Sequence, residues 1–175
     1  ENMMNATIQT ILSRRSVRRY TDRPVDEVVL NEIVCTATYA PSAHGREPYK
    51  IVVVRNPETL AELDRLNAAV LGSSGHPFYG APAVCVVLGD GSVDTCVEDG
   101  SLVIGYMMLA AQSLGVSSCW IHRAREVFET EEGKALLKKW GIPEGYIGIG
   151  HCALGYTDAP APAAKTPKAD HVLYD

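Results

Sequence analysis

Four short apolar runs constrain this chain more than any other feature: YKIVVV (Tyr49 to Val54), AVCVVLGD from Ala83, SSCWIH from Ser117 and GYIGIGHCALGY from Gly145. β-Branched residues crowd the first two and few charges interrupt them, so each run reads as a buried strand. Helical periodicity fills the intervals. Asn5 to Leu12 reads as a short helix. After the cap-like Asp26, Val29, Leu30, Ile33, Val34, Ala37 and Ala40 recur at helical spacing until Pro41. Asn56-Pro57-Glu58 opens a helix with Leu60, Leu63, Leu66 and Val70 on one face. Thr95 to Gly115 is the longest helix, apolar nearly all round, and Glu126 to Trp140 predicts one or two more. Buried strands separated by helices mean a layered α/β or α+β fold.

At 175 residues the chain suits one domain, residues 1–175. The stretch 157–175 is rich in Pro and Ala and reads as a C-terminal arm, with His171 to Tyr174 suited to a sheet edge. The net charge of -5 argues against nucleic acid or an anionic membrane as partner. Five cysteines, an odd number without CxxC spacing, fit reduced buried thiols. No apolar leader is visible, so the expected location is cytoplasmic.

Against this acidic background, SRRSVRRY gathers Arg14, Arg15, Arg18 and Arg19 around Ser16. Guanidinium forks match phosphate oxygens bidentately, so the stretch suits a small, dense anion; a solvated charged turn is the alternative. Neither a P-loop nor a Rossmann glycine fingerprint is present. APSAHGREPYKIVVV turns from a helix into a strand and exposes backbone polar groups where planar ligands sit. LAAQSLGVSSCWI runs from the long helix past Gly115 into a strand.

Taken in order, RRSVRRY, APSAHGREPYKIVVV, LAAQSLGVSSCWI and GIGHCALGY resemble the nitroreductase family of FMN-dependent oxidoreductases, from about Ile8 to Tyr156. The resemblance implies a homodimer of three-layer α-β-α (α+β) subunits, with a mixed, mainly antiparallel sheet and FMN at the dimer interface. Arg14, Arg15, Ser16 and Arg18 would then bind the FMN phosphate and ribityl chain. Pro41, Ser42 and Ala43 would approach the ring from the partner subunit, and Glu47 from the first. Backbone around Ser118, Cys119 and Trp120 would lie near flavin N5. The pattern departs from the family at Gly45 (usually Asn), Glu47 (usually Gln) and Tyr49 (usually Trp). It also departs at KTPK, which lacks the usual Arg and leaves Lys165 and Lys168 as phosphate candidates.

The implied activity is hydride transfer from NAD(P)H through the flavin to a small acceptor such as a nitroaromatic or a quinone, with no catalytic side chain required. Two alternatives stay open. One keeps the flavin but changes the chemistry (dehalogenase, dehydrogenase or flavin destructase); the other is a non-enzymatic flavin binder. The loop from Gly72 to Pro82 reads as a substrate lid carrying His76, Phe78 and Tyr79, or as a passive connector. His44, His122 and His151 lack metal-ligand spacing, and only His44, in the flavin turn, is placed to touch ligand. Glu98-Asp99 reads as a solvated or capping pair at a helix start.

Overall fold

A computed structural model describes residues 5–175, so the first four residues of the expected single domain lie outside it. Six helices and four strands follow the expected order. They are α1 (Ala6–Ser13), α2 (Glu27–Ala37), β1 (Tyr49–Val54), α3 (Pro57–Leu71) and β2 (Ala83–Asp90), then α4 (Cys96–Ser113), β3 (Ser117–Ile121), α5 (Ala124–Val127), α6 (Glu131–Lys139) and β4 (Tyr146–Gly155). Local chemistry explains several boundaries. Asn56 caps α3 by accepting from the Thr59 N–H at 2.9 Å, with Pro57 in the first turn. Gly115, at φ 74°, supplies the left-handed residue that turns the chain from α4 into β3.

The strands form one sheet in the order β1-β2-β4-β3, with every ladder antiparallel. A single parallel bridge, Ser16 to Ser118, is added at the β3 edge, so the sheet is mixed but mainly antiparallel. The central strand β2 is buried on both faces, which is why its sequence shows no polar alternation. Ala83, Cys85 and Val87 pack against α2 and α4 through Leu30, Ile33, Val103, Ile104 and Met107. Val84, Val86 and Leu88 pack against α3, α5 and α6 through Leu63, Leu66, Val127 and Leu136. The result is the three-layer α-β-α arrangement. Fully buried Ile33 and Leu63 contribute about 2–3 kcal/mol each to holding the layers together.

The glycines of β4 allow this packing. A Cβ at Gly148 would collide with the Ala124 carbonyl of α5, and one at Gly150 would stand 2.8 Å from both Trp120 and Ile104. Backbone cannot give way as a side chain can. Gly148→Ala is therefore expected to cost about 3 kcal/mol, the upper end for overpacking, read as a lower urea midpoint at unchanged slope.

α4 is apolar on all sides, yet one chain covers only part of it. Val97, Leu102 and Tyr106 remain exposed, as do Ile11 and Leu12 of α1 and Val28 of α2. The arm does not pair with the sheet as the sequence suggested. Ala169–His171 forms a 3-10 turn, and Val172 to Tyr174 lie in the open. Pro160, Pro162 and Pro167 keep the preceding stretch out of any ladder, and Val172 to Tyr174 meet no strand among the described residues. Among the described residues no helix is long and apolar enough to cross a membrane.

Candidate functional site

The arginine stretch leaves α1 and joins the sheet at once. Val17 N–H donates to the Ser118 carbonyl at 3.0 Å, so Ser16 and Val17 lie along the edge of β3. Thr21 N–H then donates to the Tyr156 carbonyl at 2.8 Å, securing the far end of the stretch beside β4. This register carries Arg14, Ser16 and Arg18 to Ser118, Cys119 and Trp120, two segments about a hundred residues apart. Backbone groups alternate along a strand, so Trp120 presents its N–H and C=O to the same side as Ser118.

Arg14 Nη1 donates to Ser16 Oγ at 3.4 Å. Neither Arg14 nor Arg18 has a carboxylate partner among the described residues, whereas Arg19 reaches Asp158 at 4.0 Å. Arg15, expected beside Arg14 and Arg18, is placed differently. Its Nη1 donates to the Leu12 carbonyl at 2.7 Å and to the Arg14 carbonyl at 2.9 Å, closing the C-terminus of α1. A guanidinium committed to helix carbonyls is drawn away from the pair beside it.

Under this edge the groups are buried and neutral. Burial pushes the Cys119 thiol up, while Arg18, Arg14 and a hydrogen bond with Ser16 pull the other way. Burial also drives the Tyr20 phenol far above its ordinary value, and its hydroxyl has no hydrogen-bond partner within the protein. Cys119 is 2% exposed with its pKa raised, which describes an inert structural thiol.

The turn from Pro41 to Pro48 stands elsewhere. Pro48 accepts from Asp90 N–H at 2.9 Å, at the opposite end of β2 from Ala83. Ala83 pairs with Leu154, which pairs with Ser118, so β2 spans the gap between turn and arginines, about 24 Å. Within one chain the two halves do not meet. The turn itself is tight: Glu47 N–H donates to Ser42 Oγ at 3.1 Å, and His44 (φ 53°), Gly45 (φ 63°) and Glu47 (φ 49°) are left-handed. Ser42 and Glu47 thus belong to one hydrogen-bonded unit. The resemblance assigns Pro41, Ser42 and Ala43 to one subunit's contribution and Glu47 to the other's; within this chain all four stand in the same turn. Glu47 and Arg46 are exposed and form no ion pair with each other.

The lid reading of Gly72 to Pro82 also changes. Phe78 is a core residue, 3% exposed, with its ring centroid 5.1 Å from that of His151. Asp64 of α3 staples the loop by accepting from Phe78 N–H at 2.8 Å and holding His76 Nδ1 at 2.7 Å. Tyr79 packs against the same cluster and its carbonyl accepts from Tyr20 N–H at 3.2 Å. A segment held at His76 and Phe78 by a carboxylate, with the Phe78 ring in the core, fits the connector reading better than the lid. Lys165 and Lys168 lie exposed in the arm and are not brought to the arginines. His44 is exposed in the turn, His122 is exposed beyond β3 and His151 is fully buried, so the three do not converge.

Comparison with known proteins agrees with this geometry. The family model described as the nitroreductase family matches residues 11–76 and 72–156, most of the chain. The chain belongs to the nitroreductase family. A nitroreductase from Bacteroides fragilis, solved with bound FMN, superposes with a TM-score of 0.90 at 31% identity, covering 98% of this chain and 99% of that one. An Archaeoglobus fulgidus protein named "Putative NADH dehydrogenase/NAD(P)H nitroreductase" is 32% identical over 159 residues, 87% of this chain and 86% of its own. The FMN reductase (NADPH) of Bacillus subtilis is 26% identical over 168 residues, 86% of this chain and 67% of its own.

The sequence reading missed Asp99. It is 4% exposed, with Oδ1 accepting from Ala43 N–H at 3.0 Å and Oδ2 from Thr95 Oγ1 at 2.9 Å. Of the solvated or capping pair expected at Glu98-Asp99, exposed Glu98 is solvated, while Asp99 is buried at the helix start, bonded to the N-cap residue Thr95.

Proposed function

We infer that this chain is an NAD(P)H-dependent FMN oxidoreductase that works as a homodimer and delivers electrons to a small acceptor such as a nitroaromatic or a quinone. One observation carries the reading: an acidic protein holds Arg14, Ser16 and Arg18 together at a sheet edge, with no carboxylate among the described residues to neutralise the two guanidiniums. Such a donor set fits a phosphate monoester dianion, which accepts several charge-assisted bonds at once. Bound there, FMN supplies the hydride and electron chemistry. The protein's part is placement. Arg14 and Arg18 hold the phosphate, Ser16 adds a hydroxyl, and the backbone of Ser118 to Trp120 lines the side facing the ring.

The turn at Pro41 to Glu47 reaches that ring from a second copy, since about 24 Å separates it from its own arginines. The uncovered apolar residues of α1, α2 and α4 support such a dimer, because a helix apolar on all sides needs a cover on all sides. No side-chain acid or base is needed for the chemistry assigned here.

The test is spectroscopic. Purified protein is incubated with FMN, desalted and scanned in the visible range; retained flavin bands that bleach on anaerobic addition of NADH or NADPH support the reading. Bands that persist unbleached favour a flavin-binding protein without the reductase activity. A colourless protein refutes both.

A further inference from the structure

We propose that Asp99 is the positioning residue of the ring-facing turn: through Ala43 it sets where the segment from Pro41 to Glu47 stands. This deepens the flavin reading and, for its catalytic consequence, rests on it.

The turn cannot hold its shape by its own bonds alone. His44 and Glu47 are non-glycine residues in the left-handed region, at φ 53° and 49°, and each costs free energy there. Internal bonds close it: Gly45 N–H to the Ser42 carbonyl at 3.0 Å and Arg46 N–H to the Ala43 carbonyl at 3.2 Å. These bonds fix its curvature, not its position on the body of the protein. Position comes from outside: Asp90 N–H holds the Pro48 carbonyl at the β1 end, and Asp99 holds the Pro41 end from inside the longest helix. One carboxylate oxygen takes the Ala43 N–H, and the other is held by Thr95 Oγ1 in the preceding turn of chain. A carboxylate 4% exposed with both oxygens engaged has a single rotamer available to it, so it transmits the rigidity of α4 to the turn. The partners are 56 residues apart, a purely tertiary tie.

The tie separates two properties of the site. Arg14 and Arg18 anchor the phosphate at one end of the sheet, and Asp99 governs the ring end through the turn. Loss of the tie is expected to leave flavin retention nearly intact while misplacing the ring, and small misplacements cost about a hundredfold in rate.

The experiment has two arms. In flavin-free protein, amide hydrogen exchange is followed over 41–49 by mass spectrometry for wild type, Asp99→Ala, Asp99→Asn and Thr95→Val. Asn keeps an oxygen for Ala43 N–H and turns its amide to Thr95. The expected result is exchange about tenfold or more faster over this segment in Asp99→Ala, near-wild-type exchange in Asp99→Asn, and an intermediate value in Thr95→Val. In FMN-loaded protein, anaerobic bleaching at saturating NADH or NADPH slows about ten- to a hundredfold in Asp99→Ala, with FMN affinity changed less than about threefold, and Asn restores the rate. Unchanged exchange in Asp99→Ala overturns the proposal. So does faster exchange spread over the whole chain, an Asn variant as impaired as Ala, or equal loss of affinity and rate. If Asp99→Ala does not fold, Thr95→Val with wild-type exchange overturns it. A wild type that takes up no FMN refutes the flavin reading alone, and the exchange arm still decides the role of Asp99.

Discussion

Arg14→Ala combined with Arg18→Ala is expected to abolish retention of FMN through desalting, raising the dissociation constant about 10²- to 10⁴-fold. Each guanidinium offers charge-assisted bonds to the phosphate, worth about 1.5–3 kcal/mol apiece, and their sum converts to that range. The chain itself loses little, because among the described residues neither side chain pairs with a carboxylate and the Arg14 guanidinium bonds to Ser16 Oγ at a long 3.4 Å. The measurement is fluorescence titration of FMN at two salt concentrations, with circular dichroism to show that the fold persists. Affinity within threefold of wild type would remove the arginines from the site. Arg15→Ala is the contrasting control. Its guanidinium is spent on the Leu12 and Arg14 carbonyls, so the change weakens the end of α1 and leaves FMN bound.

His151 is expected to make the protein acid-sensitive. It is completely buried between the rings of Phe78 and Phe128, with Nδ1 against the Ile121 carbonyl at 3.1 Å and Nε2 without a partner. Desolvation disfavours the imidazolium and holds the pKa down at about 4, against an ordinary value of 6.5. Between those values the unfolded chain binds a proton that the folded one refuses. Stability is therefore full above pH 6.5, falls as the pH drops toward 4, and levels off in this respect below 4. The loss amounts to about 3 kcal/mol over the window. Urea unfolding of wild type and His151→Leu at pH 7, 6, 5 and 4 checks it. Leucine of similar volume titrates nothing, so wild-type stability should fall relative to the variant by about one proton's worth of slope as the pH drops from 6.5 to 4. Parallel curves would show that His151 does not titrate on unfolding.

Much of the fold was legible because its causes are local. AVCVVLGD becomes β2, where apolar residues buried on both faces show no polar alternation; YKIVVV becomes β1 through its β-branched residues, although as an edge strand it leaves Lys50 and Val53 exposed rather than buried. The cap at Asn56 and the glycine stop at Gly115 act within a few residues and were read at their observed places. The arm was misjudged at its end, where Ala169–His171 takes a 3-10 turn that apolar pattern does not announce.

The candidate site divides the same way. From residue type and charge alone, the sequence by itself determined that Arg14, Ser16 and Arg18 form a donor set suited to a small, dense anion, with a solvated charged turn as the alternative. It also determined the apolar character of α4 on every side. Only the tertiary structure decided which of these groups act together. It took Arg15 to close α1, put Phe78 in the core under the hold of Asp64, and joined Asp99 to Ala43 across 56 residues. It also set the turn from Pro41 to Glu47 at the far end of β2 from the arginines. The physical reason is range: propensity, capping and charge are properties of neighbours in sequence. A buried hydrogen bond or the length of a strand between two loops exists only after the layers have packed.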